Sequence, residues 1–264
     1  MITSAANEKI KHLIALRDKA KVRREEGLFL VEGIRMFREI PSADLVTVFA
    51  SEDFYEKNSD ALPSNAEILD NKVFAKVSAV NTPQGVIAIV KQKSYSLHTL
   101  TDTPSPLLLM LETIQDPGNL GTMFRTAEAA GCSGIIMTSD CADPYSPKTV
   151  RSTMGTILRL PFVTVPQLDE VFTMLKSKNI TTYAAALEAS VPYNTADYTQ
   201  GCALLIGNEG NGLKKETIEK VTASGGCTIH IPMAGKTESL NASVSAAILM
   251  YEAARQRGFN VSKK

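Results

Sequence analysis

The sequence predicts an α/β protein: a larger domain built on a mostly parallel sheet, preceded by a smaller α/β domain. Three observations predict it. Short apolar strand patterns alternate with helical ones along most of the chain, which is the order of elements that layers helices on a sheet. In the second half the strand runs 107–111 (LLLML) and 203–206 (ALLI) are apolar on both faces, as strands buried between two layers must be. Residues 91–106 (KQKSYSLHTLTDTPSP) are polar, contain Pro104 and Pro106 and have no apolar period, so 92–105 read as a linker. Domains of 1–91 and 106–264 follow, and two domains suit a chain of 264 residues.

Composition excludes several classes. A hydrophobic content of 44% with a mean hydropathy of -0.02 is that of a globular protein with a real core. No apolar run is long enough to span a bilayer, and the opening residues MITSAANEKIKHL lack the apolar stretch of a secretory signal. A cytoplasmic location with no membrane partner is expected. The 4 cysteines (Cys132, Cys141, Cys202, Cys227) have no C-x-x-C spacing and the 3 histidines (His12, His98, His230) are scattered, so no metal is expected and the thiols read as buried and reduced. Lys and Arg (28) balance Asp and Glu (28). Any nucleic-acid surface must therefore be local.

Taken in order, Ser4 is placed to cap a helix with Ile10, Leu13 and Ile14 on one face. The next segment, RDKAKVRREEG, carries Arg17, Lys19, Lys21, Arg23 and Arg24 against Asp18, Glu25 and Glu26. It reads either as a solvated helix end or as a patch touching RNA phosphates through Arg17, Lys21, Arg23 and Arg24. Residues 28–32 (LFLVE) form a strand and Gly33 opens a helix to about 40. A strand at 45–50, a helix at 53–58, a weaker strand at 66–69, a helix at 71–78 and a β-branched strand at 86–90 complete the small domain.

The second domain opens with strand 107–111 and a helix at 120–130 closed by Gly131. Strand 134–138, a helix started by Ser146-Pro147, strand 162–165, a helix at 168–177 and strand 181–185 come next. Strand 203–206, a helix at 213–221 and strand 228–231 follow, and Pro232 ends the last pairing because it has no N–H. A helix rich in Ala, Leu and Met runs from 241 to 256 and stops at Gly258.

Three strands deliver distinctive loops to their carboxyl ends, where ligands of parallel sheets sit. The first is Gln115-Asp116-Pro117-Gly118-Asn119-Leu120-Gly121, with Arg125 further along the helix. Arg is rarely buried unpaired, so Arg125 is expected either to pair, with Glu209 available, or to face a site. The second loop is Gly207-Asn208-Glu209-Gly210-Asn211-Gly212. Its glycines let a ligand approach the backbone, but the spacing G-x-x-G-x-G is neither a dinucleotide fingerprint nor a Walker loop, and Glu209 would repel a triphosphate. The third, Met233 to Ser239, leads into Ser239-Leu240-Asn241 at the start of the last helix. There Ser239 or Asn241 caps the helix, or its free N–H groups hold a ligand.

Together, DPGNLGTMFRTAEAAG (116–131), LLIGNEGNGL (204–213) and IPMAGKTESLNASVSAA (231–247) resemble the SpoU/TrmH family of RNA ribose 2′-O-methyltransferases, of the SPOUT superfamily. GLFLVEG (27–33) and NTPQGVIAIV (81–90) look like that family's accessory substrate-binding domain, similar to the L7Ae/L30e fold. Three ordered motifs are specific where one is not. The resemblance implies a deep trefoil knot in the second domain and a homodimer with its active site near the subunit interface. It also implies S-adenosylmethionine bound by Gly207, Asn208, Ile231, Met233 and Leu240. Asn119, Arg125, Glu209, Ser239 and Asn241 match the family's catalytic pattern.

The implied reaction moves a methyl group from a sulfonium to a ribose 2′-hydroxyl, which is chiefly a matter of positioning. In the family the Arg125 position activates the hydroxyl. A guanidinium with a pKa above about 12 is a poor base, so two accounts stand open: a transiently neutral Arg125, or a charged one that stabilises the developing alkoxide. The second is favoured on those grounds. The expected substrate is a structured RNA, 23S ribosomal RNA ahead of transfer RNA by analogy. The rivals are a non-catalytic RNA-binding protein on the same fold and an α/β enzyme using a nucleotide, the latter opposed by the absence of a phosphate loop.

Overall fold

Asn7, not Ser4, starts the first helix. The structure, a computed structural model, describes residues 1–188 and 190–259. In it the Asn7 side chain accepts from the Lys9 N–H at 2.9 Å and opens α1 (Glu8–Asp18). Ser4 Oγ accepts from the Ala6 N–H at 3.2 Å instead, in a turn of its own. The buried face of α1 is Ile10, Leu13 and Leu16, and Ile14 is only partly covered.

The basic segment folds as α2 (Ala20–Glu26), stopped by Gly27 in the left-handed region at φ 63°. Then come β1 (Leu28–Glu32), α3 (Ile34–Phe37), β2 (Leu45–Ser51), α4 (Glu52–Asn58), β3 (Glu67–Leu69), α5 (Asn71–Val77) and β4 (Val86–Lys91). Helix α3 ends before the expected residue 40, as the chain approaches Pro41, which disfavours helical geometry in the residue before it. The four strands form a mixed sheet in the order β1-β4-β2-β3, with β4 antiparallel to β1 and β2, and β2 parallel to β3. Its core joins Ile10, Leu13 and Leu16 to Phe49, Leu69, Phe74 and Ile87.

The stretch read as a linker is not wholly irregular. It contains α6 (Leu97–Thr101), begun by a capping box between Ser96 and Thr99 and anchored by a fully buried Leu100. One buried leucine over five residues makes no period, so the pattern reading passes over it.

Beyond it lie β5 (Leu107–Leu111), α7 (Pro117–Ala129), β6 (Gly134–Thr138), α8 (Pro147–Thr153), β7 (Phe162–Val165), α9 (Asp169–Ser177) and β8 (Thr181–Ala185). They are followed by β9 (Val191–Pro192), β10 (Cys202–Ile206), α10 (Lys215–Ala223), β11 (Cys227–His230) and α11 (Ala242–Gln256). Seven strands pair in the order β7-β6-β5-β10-β8-β11-β9, every neighbour parallel. The two-residue β9 is too short to show an alternation in sequence. Every residue of β5, β6 and β10 is buried, as strands with helices on both faces require. Among the described residues no helix is long and apolar enough to cross a membrane. Of the cysteines, Cys132 and Cys202 are buried as expected, while Cys141 and Cys227 are only partly covered.

The chain forms two compact units: Met1–Lys93 with Asp143–Leu158, and Ser94–Ala142 with Arg159–Lys264. The segment carrying α8 thus belongs to the first unit, where the Phe29 and Tyr145 rings lie 4.7 Å apart. This explains a correction. Arg23, read as an RNA contact, is 4% exposed. Its Nη2 lies 2.5 Å from Asp143 Oδ2, and its Nη1 donates to the carbonyls of Leu16 at 2.6 Å and Arg17 at 2.9 Å. With its donors consumed inside the protein, Arg23 is unavailable to a phosphate.

Candidate functional site

Strand β5 ends in a loop whose first turn of helix is built locally. Asp116 caps α7 by accepting from the Asn119 N–H at 2.8 Å, and Pro117 occupies the first helical turn, where its missing N–H costs nothing. Apolar positions Leu120, Met123, Phe124 and Ala127 are buried. Arg125 is exposed and has no hydrogen bond or ion pair among the described residues. Of the two expectations, pairing with Glu209 fails.

Glu209 has other partners. Its carboxylate accepts from the Asn119 side-chain amide at 3.1 Å and from the backbone N–H groups of Gln115 and Asp116 at 3.2 Å each. Burial pushes this carboxyl up, but those donors outweigh it and hold it below the ordinary range. The loop is shaped from within by Asn208, whose Oδ1 accepts from the N–H groups of Gly210 and Asn211 at 3.0 Å while its amide donates to the Thr113 carbonyl at 2.8 Å. A methyl group on Gly207 would overlap the backbone of Gly212 and Leu213. Only glycine fits that closure.

The third loop joins through Asn241. Its Oδ1 caps α11, accepting from the N–H groups of Ser243 at 2.9 Å and Val244 at 3.3 Å. Its amide donates to Asn119 Oδ1 at 3.1 Å. Since Glu209 can only accept, Asn119 must turn its NH₂ toward Glu209 and its oxygen toward Asn241. One carboxylate thus sets the orientation of two amides on two helices. Ser239 stands apart from this chain, exposed and with no side-chain hydrogen bond among the described residues.

Beside the amide chain lies a pocket of about 620 Å³ within the second unit. Gly207, Asn208, Ile231, Met233 and Leu240, the expected cofactor residues, all line it, as do Glu209 and Ser239. Ile206, Ile229 and Leu249 add apolar wall, and with the backbone of 207–213 they make a cradle suited to an apolar ring with polar edges. Asn119, Arg125 and Asn241 are not among its lining residues. The structure therefore gathers Asn119, Glu209 and Asn241 by direct bonds, gathers Ser239 by the shared pocket, and leaves Arg125 projecting to solvent.

Of the basic residues expected to touch RNA besides Arg23, Arg17 pairs with Asp18 at 2.7 Å and donates to the Lys76 carbonyl at 2.7 Å. Lys21 is exposed opposite Glu25 at 3.7 Å, and Arg24 is exposed. Sequence reasoning passed over Glu112, which is 4% exposed and accepts from the Lys214 N–H at 3.0 Å and the Thr217 hydroxyl at 2.5 Å. It ties the end of β5 to the start of α10, just beyond the glycine loop. A single acid after an apolar strand was the signal. Ser243, whose hydroxyl donates to Asn241 Oδ1 at 2.6 Å, was also passed over, because it reads as an ordinary helical serine.

Comparison with known proteins adds to this geometry. Residues 106–251 match the model of the SpoU rRNA Methylase family, and residues 7–88 match an MRM3-like substrate binding domain. The chain is 33% identical over 257 residues to the 23S rRNA (guanosine(2553)-2'-O)-methyltransferase RlmP of Bacillus subtilis (strain 168), spanning 95% of this chain and 97% of that one. Among solved structures, it is similar to an AdoMet-bound rRNA methyltransferase from Sinorhizobium meliloti at 31% identity and a TM-score of 0.83, covering 96% of this chain and 97% of that one. The SpoU methyltransferase AviRb from Streptomyces viridochromogenes, in complex with AdoMet, superposes with a TM-score of 0.84 at 28% identity, over 95% of this chain and 98% of that one.

Proposed function

The chain belongs to the SpoU rRNA methylase family, and on that premise we propose that it methylates a ribose 2′-hydroxyl of 23S ribosomal RNA, using S-adenosylmethionine. The observation that carries this reading is the chain of bonds Asn241–Asn119–Glu209, which draws three loops together beside one pocket. The pocket fits the cofactor: an apolar wall for a base, and backbone polar groups exposed where Gly207 leaves no room for a side chain. Gly207, Asn208, Ile231, Met233 and Leu240 hold it there. When bound, S-adenosylmethionine supplies an electrophilic methyl group on its sulfonium.

The chain's own residues do the rest. Asn119, Glu209 and Asn241 hold the loops in register, and Ser239, at the pocket wall, orients the ribose. Arg125 keeps its charge and stabilises the alkoxide that develops as the hydroxyl loses its proton. Its exposure fits a homodimer in which a second copy completes the site. Exposed Val244 and Tyr251 on α11 offer apolar surface for that contact. In this reading residues 1–91 are an L7Ae/L30e-like RNA-binding domain, 92–105 a linker, and 106–264 the methyltransferase domain with its trefoil knot. The protein works in the cytoplasm. The ribosomal substrate is supported by the 23S enzyme of Bacillus subtilis, which matches nearly end to end.

The test is transfer of labelled methyl from S-adenosylmethionine to total RNA lacking its native modifications, followed by nuclease digestion and nucleoside analysis. A labelled 2′-O-methylnucleoside in the 23S fraction is expected. Cofactor binding without label in any RNA would leave the binding-only rival standing. No cofactor binding would overturn the assignment of the pocket.

A further inference from the structure

The first unit carries a cavity that methyl transfer does not use. It measures about 360 Å³, within the range of pockets that take small planar ligands. Its floor is apolar, with Leu30, Met36, Ile87 and Val150 all buried. At its margin stand Arg35 and Arg151, both exposed and neither with a hydrogen bond or ion pair among the described residues.

The acidic and amide groups of the wall are partly used. Glu32 accepts from the Ser78 hydroxyl at 2.5 Å and the Ala79 N–H at 3.0 Å, and Gln84 Oε1 accepts from the Ile34 N–H at 3.0 Å. Each of those oxygens keeps a lone pair for a further N–H. An adjoining groove of about 680 Å³ shares Arg151 with the cavity and adds Arg17 and Lys148. Its acidic member, Asp18, is tied to Arg17.

An apolar slot with acceptors on its wall and cations at its margin, continuing into a basic trough, complements a single-stranded nucleotide. The base has apolar faces and N–H edges, and its phosphates are anionic. A duplex keeps its bases stacked inside, whereas loops and bulges offer them to protein pockets. We propose that this cavity receives one unpaired nucleobase of the RNA substrate, with Arg35 and Arg151 on the flanking phosphates and the strand continuing along the Arg17–Lys148 groove. The proposal rests on the RNA-methyltransfer reading and deepens it. The enzyme recognises its substrate by an extruded base at a site distinct from the methyl-transfer loops.

The full-length protein, unmodified ribosomal RNA and steady-state methyl transfer across a salt series test this. Arg35→Ala and Arg151→Ala should each raise KM for RNA about tenfold and lower the salt slope of RNA binding by about one. Ala79→Phe, which fills the cavity, should raise KM about tenfold with the salt slope unchanged, because it removes no charge. Thr82→Trp, at an exposed position on the same cavity, should do likewise and guards against misfolding of the first filler. In all four, kcat and affinity for S-adenosylmethionine should stay at wild-type values. Wild-type KM in both filled variants overturns the base pocket while leaving the methyltransferase reading intact. A wild-type protein that methylates no RNA overturns that reading first, and the pocket with it.

Discussion

Helices α2 and α7 each carry an arginine in a stretch that reads as functional, and the fold treats the two in opposite ways. Arg23 in α2 is 4% exposed, and its guanidinium is shared among Asp143 and the carbonyls of Leu16 and Arg17. Arg125 in α7 stands next to fully buried Phe124, yet points to solvent with no partner among the described residues. The comparison teaches that a cluster of like charges says little about use. What matters is whether each guanidinium's donors are already filled. Five donors spent on the protein make a structural residue. Five donors held out from a well-packed helix are free to act on something else.

The comparison breaks most sharply at Arg125. Arg125→Ala should lower methyl transfer roughly a hundred- to a thousandfold, while cofactor affinity measured by calorimetry stays near wild type. Arg125→Lys should recover little, since a point charge does not replace a planar fork. Cofactor affinity falling as far as the rate would show Arg125 to be structural after all. Arg23→Ala is the converse case. It leaves Asp143 and two carbonyls without their donor, and should cost about 3 kcal/mol in a denaturant melt with the turnover of folded enzyme unchanged. Lost turnover at full stability would return Arg23 to the RNA surface. The smallest effect concerns the entry to the same region: Asn7→Ala should cost about 1 kcal/mol by removing the cap of α1. Ser4→Ala should stay within about 0.5 kcal/mol. The opposite ranking, read from thermal midpoints, would restore Ser4 as the cap.

Much of the architecture was legible because it is written locally. The all-apolar runs of β5 and β10, the Asp116-Pro117 and Ser146-Pro147 helix starts and the stop at Gly258 each involve neighbours in sequence. The errors lie where two local candidates competed, as Ser4 did with Asn7, or where an element was too short for a period, as in α6 and β9. The pocket residues Gly207, Asn208, Ile231, Met233 and Leu240 were legible because they occupy loops at strand ends.

By itself the sequence determined the order of strands and helices, the division into a small and a large α/β part, and which three loops carry unusual polar residues. Only the tertiary structure decided which polar groups satisfy one another. Asn119 meets Glu209 across 90 residues and Asn241 across 122, while Arg23 meets Asp143 across 120. Periodicity and capping act over a few residues, so they are readable along the chain. The pairing of a carboxylate with an amide or a guanidinium is settled by burial, which no short window contains. That is why Glu209 could be recognised as unusual, but its partner could be named only once the strands had been laid side by side.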